Sequence, residues 1–447
     1  MGKLFGTDGI RGVANLKLTP EIAYKVGRAA GYVLSKETKG KVIIGRDTRL
    51  SGHLLESALA SGLMSIGLDV ELVGVIPTPA IAYLTRTEDY LAGVVISASH
   101  NPYEHNGIKF FSHEGYKLPD SVENQIEDLI FSDTKIYKDA TGADVGKIIY
   151  SHDAQDKYAN YLKSLADIDL TGMKIALDTG NGALSKIAKS VVESFGAEVT
   201  IINDKPNGIN INDNCGSTNP ELIKELVVKE KADIGMSFDG DADRIIAVDN
   251  LGREIDGDHI LAICATQLKA ENKLTNDTVV GTIMSNIGLT RYLESIGVNL
   301  VHTKVGDRYV LEEMKKNNFV IGGEQSGHII FLDYNTTGDG LATGIHLLEV
   351  MKKSNKTSAE LNDLMTSYPQ ILVNANVRLD LKDRYMEFPE IVSEIEKIEE
   401  KFDGKGRVVI RPSGTESLVR VMIEGENEKV LEEEAKNLAL FIEDKLN

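Results

Sequence analysis

Residues 237–244 read Ser-Phe-Asp-Gly-Asp-Ala-Asp-Arg and set carboxylates at alternate positions: Asp239, Asp241 and Asp243. Gly240 and Ala242 leave the turn between them uncrowded, so the three acids can converge on a hard cation. An EF-hand is excluded, because its required sixth-position glycine would be Arg244 and its bidentate twelfth-position glutamate would be Asn250. A solvated acidic turn is the plainer alternative. It is disfavoured because three carboxylates beside an apolar strand repel one another unless a cation or a basic partner neutralises them.

A second reactive loop, "SASHNP", begins at Ser97 and interrupts an apolar strand. Ser99 is no hydrolase elbow, since Ser97 and Ala98 precede it and His100 and Asn101 follow where G-x-S-x-G would be needed. A structural serine closing the turn before Asn101-Pro102 is one reading. The other is a phosphorylated serine. A phosphoserine carries about −1.5 to −2 charge near neutral pH, and magnesium often completes its oxygen shell with a phosphate oxygen. The two loops then make sense as one phosphoryl-transfer site.

The elements that must position these loops form a repeat. Three segments share an apolar strand, a small-residue loop, an amphipathic helix and a second strand; they begin at Lys41, Lys174 and Thr278. Ile187, Val191 and Phe195 show helical spacing, as do Leu289, Leu293 and Ile296, so each is expected on one face of a helix against a sheet. Each βαβ segment is followed by a strand, a loop and a returning strand, and the loops are "SASHNP", "SFDGDADR" and "GGEQSGH". From about Tyr368 the pattern changes to a strand, a helix near "EIVSEIEKIEEKF", a hairpin "RVVIRPSGTESLVRVMIE" and a last charged helix. The expected architecture is three related α/β domains with mixed sheets plus a smaller C-terminal α+β domain around a central cleft. The expected boundaries are 1–150, 151–255, 256–367 and 368–447.

Composition excludes several classes. The 447 residues suffice for several cores, and 42% hydrophobic with 26% charged residues is ordinary for a globular chain. A net charge of −19 argues against nucleic-acid or anionic-membrane partners, although a local phosphate site needs only a few cations and N–H groups. No apolar run approaches a membrane span, and "MGKLFGTDGIRG" lacks a signal-peptide apolar region, so a cytoplasmic protein is expected. Cys215 and Cys264 show no metal or redox spacing and read as packing residues.

"SASHNPYEHNGIKFF", "DGDADR", "GEQSGH" and "RPSGTES", in this order, resemble the four signature loops of the α-D-phosphohexomutase superfamily, over essentially the entire chain. The resemblance implies a phosphorylated Ser99, with magnesium held by that phosphoserine and by Asp239, Asp241 and Asp243. It implies transfer of the phosphoryl group to a sugar phosphate, reorientation of a 1,6-bisphosphate, and return of the other phosphate to serine. "FGTDGIRG" together with "GEQSGH" most resembles the branch that interconverts glucosamine 6-phosphate and glucosamine 1-phosphate on the way to UDP-N-acetylglucosamine and the cell wall. Hexose 1,6-bisphosphate is the implied activator. Gln325 separates the motif from the "GEMSGH" of related phosphomannomutase/phosphoglucomutases, which are the alternative within the superfamily.

That cycle gives the remaining residues their expected parts. Arg411 offers a bidentate phosphate contact, Ser413 and Thr415 offer hydroxyls, and Gly414 leaves the backbone open; Arg420 on the returning strand is a second cation. No Walker A pattern occurs anywhere in the chain. Glu324 can accept hydrogen bonds from sugar hydroxyls, and Ser326 can add a polar contact. Lys109 and His328 match positions with acid/base or electrostatic roles, and His100 adjoins the serine. Arg11 and Arg244 fit phosphate contacts, with Lys304 and Arg308 of "KVGDRYV" as further substrate-contact candidates.

Two other classes remain open on residues alone. A metal-dependent sugar phosphatase would share the acidic loop and the serine but release phosphate. A silent phosphosugar sensor would keep Arg411 and Glu324 without turnover. Reorienting a bisphosphate without losing it also requires the C-terminal domain to close over the cleft. A homodimer is a further expectation from the resemblance.

Overall fold

Three stretches of this chain fold to one strand order. The computed structural model describes residues 4–6, 8–36, 40–132, 139–413 and 417–447. In the first sheet the central strand Lys41–Arg46 pairs in parallel with Asp69–Val75 on one side and Ala92–Ile96 on the other, and Ala92–Ile96 turns back antiparallel into His105–Ser112. The second sheet repeats this with Lys174–Asp178 between Glu198–Ile202 and Ile234–Phe238, followed by the antiparallel return Ile245–Asp249. The third repeats it again with Thr278–Thr282 between Asn299–Thr303 and Ile321–Gly323, and the return Ile329–Phe331. The three reactive loops therefore sit at topologically equivalent hairpins, at the strand ends where α/β proteins place ligands.

Extra strands distinguish the first two sheets. Phe5–Gly6, Gly9–Val13 and Ile148–Tyr150 extend the first to seven strands, and Glu254–Ile255 extends the second to five. The helices between the parallel strands are Gly52–Met64, Ala188–Glu193 and Ile287–Ser295. The middle one is shorter than its apolar spacing suggests. Ile187 and Phe195 flank it, yet both are buried with Val191, so the face survives although the helix is brief.

The three α/β units are joined by one continuous apolar core, which runs from Ile43 in the first sheet through Leu177 and Met236 in the second to Ile321 in the third. Residues beyond Tyr368 build a separate core. Gln370–Asn376, Leu418–Glu424 and Arg407–Pro412 form a three-stranded antiparallel sheet, covered by helices Pro389–Phe402 and Glu428–Leu446. Its hairpin register sets Arg411 opposite Arg420.

Candidate active site

The serine loop is held in a conformation its sequence would not choose. Ser99 has φ 53°, in the left-handed region that L-residues occupy at a cost and only when their surroundings fix them. Arg49, fully buried, supplies the fixing. Its Nη2 donates to the carbonyls of Ser99 at 2.9 Å and Asn101 at 2.8 Å, and its Nη1 donates to the Pro102 carbonyl. Asp47 Oδ2 accepts from Arg49 Nε at 2.8 Å and from Ser97 Oγ at 2.6 Å, tying the guanidinium to the start of the same loop. Asn212, from the second unit, donates to the Ser99 carbonyl at 2.9 Å.

This geometry brings the serine to the acids. Ser99 Oγ donates to Asp239 Oδ2 at 2.6 Å, and both groups are buried. Side-chain oxygens of Asp239, Asp241 and Asp243 lie within 4.8 Å of one another. Gly240 permits the approach: a Cβ there would fall 2.8 Å from the Ser99 carbonyl oxygen and 2.6 Å from Ile211. Thr78 of the first unit anchors the far side, donating through Oγ1 to Asp241 Oδ2 at 2.6 Å. Asp241 Oδ1 and Asp243 Oδ1 are buried without a hydrogen-bond partner among the described residues. Buried carboxylate oxygens left this way need a ligand, and an all-oxygen donor set suits a hard divalent cation rather than zinc. The residues fit a metal ion.

Charge around the triad is unevenly shared. Burial raises Asp239 well above the ordinary carboxylate range, Asp243 and Asp241 add to that, and Arg244 and the Ser99 hydroxyl pull the other way. Burial would also raise Asp243, but Lys109, His328 and Arg244 hold it well below that range. Lys109, on strand His105–Ser112, is enclosed by carboxylates: Asp241 at 3.1 Å, Asp8 at 3.1 Å and Asp243 at 3.4 Å. These overcome burial and raise its pKa, so it stays cationic.

The two histidines differ. Burial, with Arg244 and Arg11 nearby, lowers His100 to about 4, so its ring is neutral near pH 7; its Nδ1 lies 3.4 Å from Ser99 Oγ. His328 is buried with Asp243 Oδ2 at 3.7 Å from Nδ1 and Asp307 Oδ2 at 3.4 Å from Nε2. Burial opposes its protonation, and the two carboxylates reverse that and raise its pKa. The Gly338 N–H donates to Nε2 at 3.0 Å, a bond that needs the lone pair there, and this assigns the neutral tautomer with its proton on Nδ1.

All four units line one cleft of about 780 Å³. Arg11, Arg244, Glu324, Ser326, Arg411, Ser413 and Arg420 face it. Glu324 Oε1 accepts the Gly306 N–H at 2.9 Å, and Arg11 pairs with Asp8. Burial and the facing Arg420 lower the Arg411 pKa, with Glu324 opposing them. Arg308 also lines the cleft but is bound to the first unit, pairing with Asp120 and, at 3.0 Å, with Glu123. Lys304 is exposed, 5.9 Å above the Tyr309 ring, and is not part of the cleft wall. Gly414 and Thr415 lie outside the described residues.

Several participants escape sequence reasoning. Asp47 and Arg49 follow a βαβ first strand, where ligand loops gather, and that position was the available signal. Thr78 and Lys117 lie in no local motif, and nothing within "FGTDGIRG" or "KVGDRYV" singles out Asp8 or Asp307. Each meets its partner only through tertiary contacts.

A serine hydroxyl beside an acid triad, next to a cleft that arginines from all four units line, is an arrangement that can support phosphoryl transfer. The domain profiles of the phosphoglucomutase/phosphomannomutase family match in order: alpha/beta/alpha domain I over residues 2–137, domain II over 156–252, domain III over 256–368 and the C-terminal domain over 375–440. The chain is 58% identical to the phosphoglucosamine mutase of Alkaliphilus metalliredigens and 53% identical to that of Clostridioides difficile, with 100% of both chains covered in each case. A phosphoglucomutase/phosphomannomutase family protein from Burkholderia thailandensis aligns over 100% of this chain and 99% of its own, with TM-score 0.83 and 25% identity. The fold is also that of Aspergillus fumigatus N-acetylphosphoglucosamine mutase in complex with GlcNAc-6P and magnesium, with TM-score 0.70 and 18% identity over 100% of this chain and 96% of that one. The chain belongs to the phosphoglucomutase/phosphomannomutase family and, within it, to the phosphoglucosamine mutases, which makes it an isomerase. Among the described residues no helix is long and apolar enough to cross a membrane.

Proposed function

We propose that this protein interconverts glucosamine 6-phosphate and glucosamine 1-phosphate through a phosphoserine at position 99 and a glucosamine 1,6-bisphosphate intermediate. The observation that carries the reading is the buried 2.6 Å bond from Ser99 Oγ to Asp239, in an acid triad whose member Asp243 lines the cleft that also holds the Arg411–Arg420 pair. The relatives named above support the amino sugar as substrate.

In the forward step the C1 hydroxyl oxygen of the 6-phosphate attacks the phosphorus on Ser99. The new P–O bond forms as the bond to Oγ breaks, and one proton passes from the sugar hydroxyl to Oγ. His100, neutral and 3.4 Å from Oγ, lies within reach of that proton's destination, where Asp239 Oδ2 is nearer still at 2.6 Å. Lys109, held cationic, stabilises charge rather than carrying the proton. Arg11 and Arg244 contact the transferring phosphoryl group, while Arg411, Ser413 and Arg420 hold the distal phosphate. Glu324 and Ser326 engage the sugar between them. After the bisphosphate turns round, the C6 phosphoryl returns to Oγ by the same chemistry in reverse.

Asp239, Asp241 and Asp243, with an oxygen of the phosphoserine, would hold magnesium. When bound it neutralises charge on the phosphoryl group and the acids. Hexose 1,6-bisphosphate would recharge any serine that loses its phosphate. We place the enzyme in the cytoplasm, ahead of UDP-N-acetylglucosamine synthesis, and as a homodimer. The test is a coupled assay on glucosamine, glucose and mannose 6-phosphates with magnesium and a catalytic amount of hexose 1,6-bisphosphate. Highest kcat/KM on glucosamine 6-phosphate supports the reading. Preference for glucose or mannose phosphates, or stoichiometric release of phosphate, would overturn it.

A further inference from the structure

Lys117 lies outside every motif in this sequence, yet its ammonium joins two groups at the cleft. Its Nζ is 2.5 Å from Asp8 Oδ1 in the first unit and 2.5 Å from Asp307 Oδ2 in the third. Asp8 in turn reaches Lys109 at 3.1 Å, and Asp307 reaches His328 Nε2 at 3.4 Å. Lys109 and His328 meet again at Asp243 Oδ2, at 3.4 and 3.7 Å. The six side chains close a ring drawn from all three α/β units, and Lys117 is the cation in it that meets the acid triad only through other members, Asp8 and Asp307.

The backbone fixes Lys117 where this ring needs it. It forms a bridge with Phe111, and the Ser112 N–H donates to the Tyr116 carbonyl at 2.8 Å, closing the turn. Thr336 of the third unit donates to the Gly115 carbonyl at 2.5 Å, and Lys315 lies 3.5 Å from the Tyr116 ring centroid. The Lys117 side chain is 10% exposed and cannot exchange its partners for water freely.

We propose that Lys117 is a positioning residue for phosphoryl transfer, acting through Asp8 on Lys109 and through Asp307 on His328. The inference rests on the mutase reading above. Without the Lys117 charge, Asp8 keeps only Arg11 and Lys109 as cationic partners and draws the Lys109 ammonium away from Asp241 and Asp243. Asp307 Oδ2 likewise loses the cation that holds it 3.4 Å from His328 Nε2, which, accepting the Gly338 N–H, has no proton to offer it in the neutral ring. The cation that stabilises the transferring group then sits off its place, and misplacement on the order of 1 Å costs about 100-fold in rate.

The experiment compares Lys117→Met, which keeps length and loses charge, with Lys117→Arg and Asp307→Asn, in the full-length enzyme below its unfolding midpoint. Assays use whichever of glucosamine, glucose or mannose 6-phosphate the wild type turns over best. The expected result for Lys117→Met is kcat down about 100-fold with KM changed less than about threefold. Lys117→Arg should recover part of kcat, and the Lys117→Met/Asp307→Asn double variant should lose less than the product of the single losses. A purely structural clasp would lower the unfolding midpoint and leave kcat per folded molecule intact. That outcome, or multiplicative losses in the double variant, overturns the inference. A wild type inactive on all three sugars overturns the mutase reading first, and this inference with it.

Discussion

Ser99 and Asp239 are separated by 140 residues of sequence and joined by a 2.6 Å hydrogen bond. One belongs to the hairpin of the first α/β unit and the other to the matching hairpin of the second. Repetition of one topology has thus set the proposed phosphoryl carrier against the proposed cation site without a dedicated connection between them.

Replacing the hydroxyl should separate chemistry from folding. Ser99→Ala keeps the loop's Arg49 and Asn212 contacts, which are made to the backbone carbonyl. Mutase turnover should fall below detection, with circular dichroism unchanged and the unfolding midpoint shifted by no more than ~4 °C.

The support beneath the serine should behave differently. Arg49→Met removes four side-chain hydrogen bonds from a fully buried guanidinium and strands Asp47. Breaking a buried pair in this way costs about 3–5 kcal/mol, so chemical denaturation should show a loss of that order together with loss of activity. Arg49→Lys should not restore either, because a point ammonium cannot reach three carbonyls and a carboxylate at once.

The acid triad should show opposite signs in binding and stability. Burial and two neighbouring carboxylates oppose ionisation of Asp239. Asp239→Asn should therefore raise the unfolding midpoint of metal-free protein while weakening magnesium binding at least about tenfold by calorimetry. Wild type should be stabilised by added magnesium in proportion to its occupancy, and chelation should abolish turnover reversibly.

The proposed distal clamp, Arg411 and Arg420, is a pair of like charges at directly opposed positions of an antiparallel ladder. Such pairs repel, and an anion between them relieves the repulsion. Arg411→Met should raise KM for the sugar phosphate by about tenfold or more, from loss of a charge-assisted phosphate contact. Inorganic phosphate should raise the unfolding midpoint of wild type more than that of the variant.

A pH effect on stability should come from Asp258, which accepts the Asn286 N–H at 2.6 Å where the third unit meets the last. Burial, with Asp256 adding to it, raises its pKa well above the usual carboxylate value. A raised folded-state pKa means the folded protein holds the proton more tightly. The associated stability is full below the unfolded value of ~3.9 and is lost as pH rises above it. Asp258→Asn should remove that loss, so the stability of the variant relative to wild type should improve between pH 5 and pH 8 in urea titrations.

Legibility of this molecule in its sequence followed the range of the interactions involved. The βαβ segments and hairpins announced themselves because strand and helix periodicity are local, and Asp239, Asp241 and Asp243 because one loop holds all three. Ile187 and Phe195 showed the limit: their spacing marked a buried face but not where the helix ended. The partners of Lys109 could not be read, since Asp8 and Asp241 reach it from far along the chain. The same holds for Arg308, a substrate candidate by type, which the fold commits to Asp120 and Glu123. Lys304 faces outward beside a residue, Val305, that lines the cleft.

The most direct test follows the phosphoryl group itself. Protein carrying isotopically labelled phosphate on Ser99 is mixed with glucosamine 6-phosphate and magnesium, and the label is traced through a single turnover. The account expects it to pass to sugar bisphosphate and then to glucosamine 1-phosphate or back to Ser99. Label that leaves as inorganic phosphate, or that stays on the protein while sugar isomerises, would contradict it.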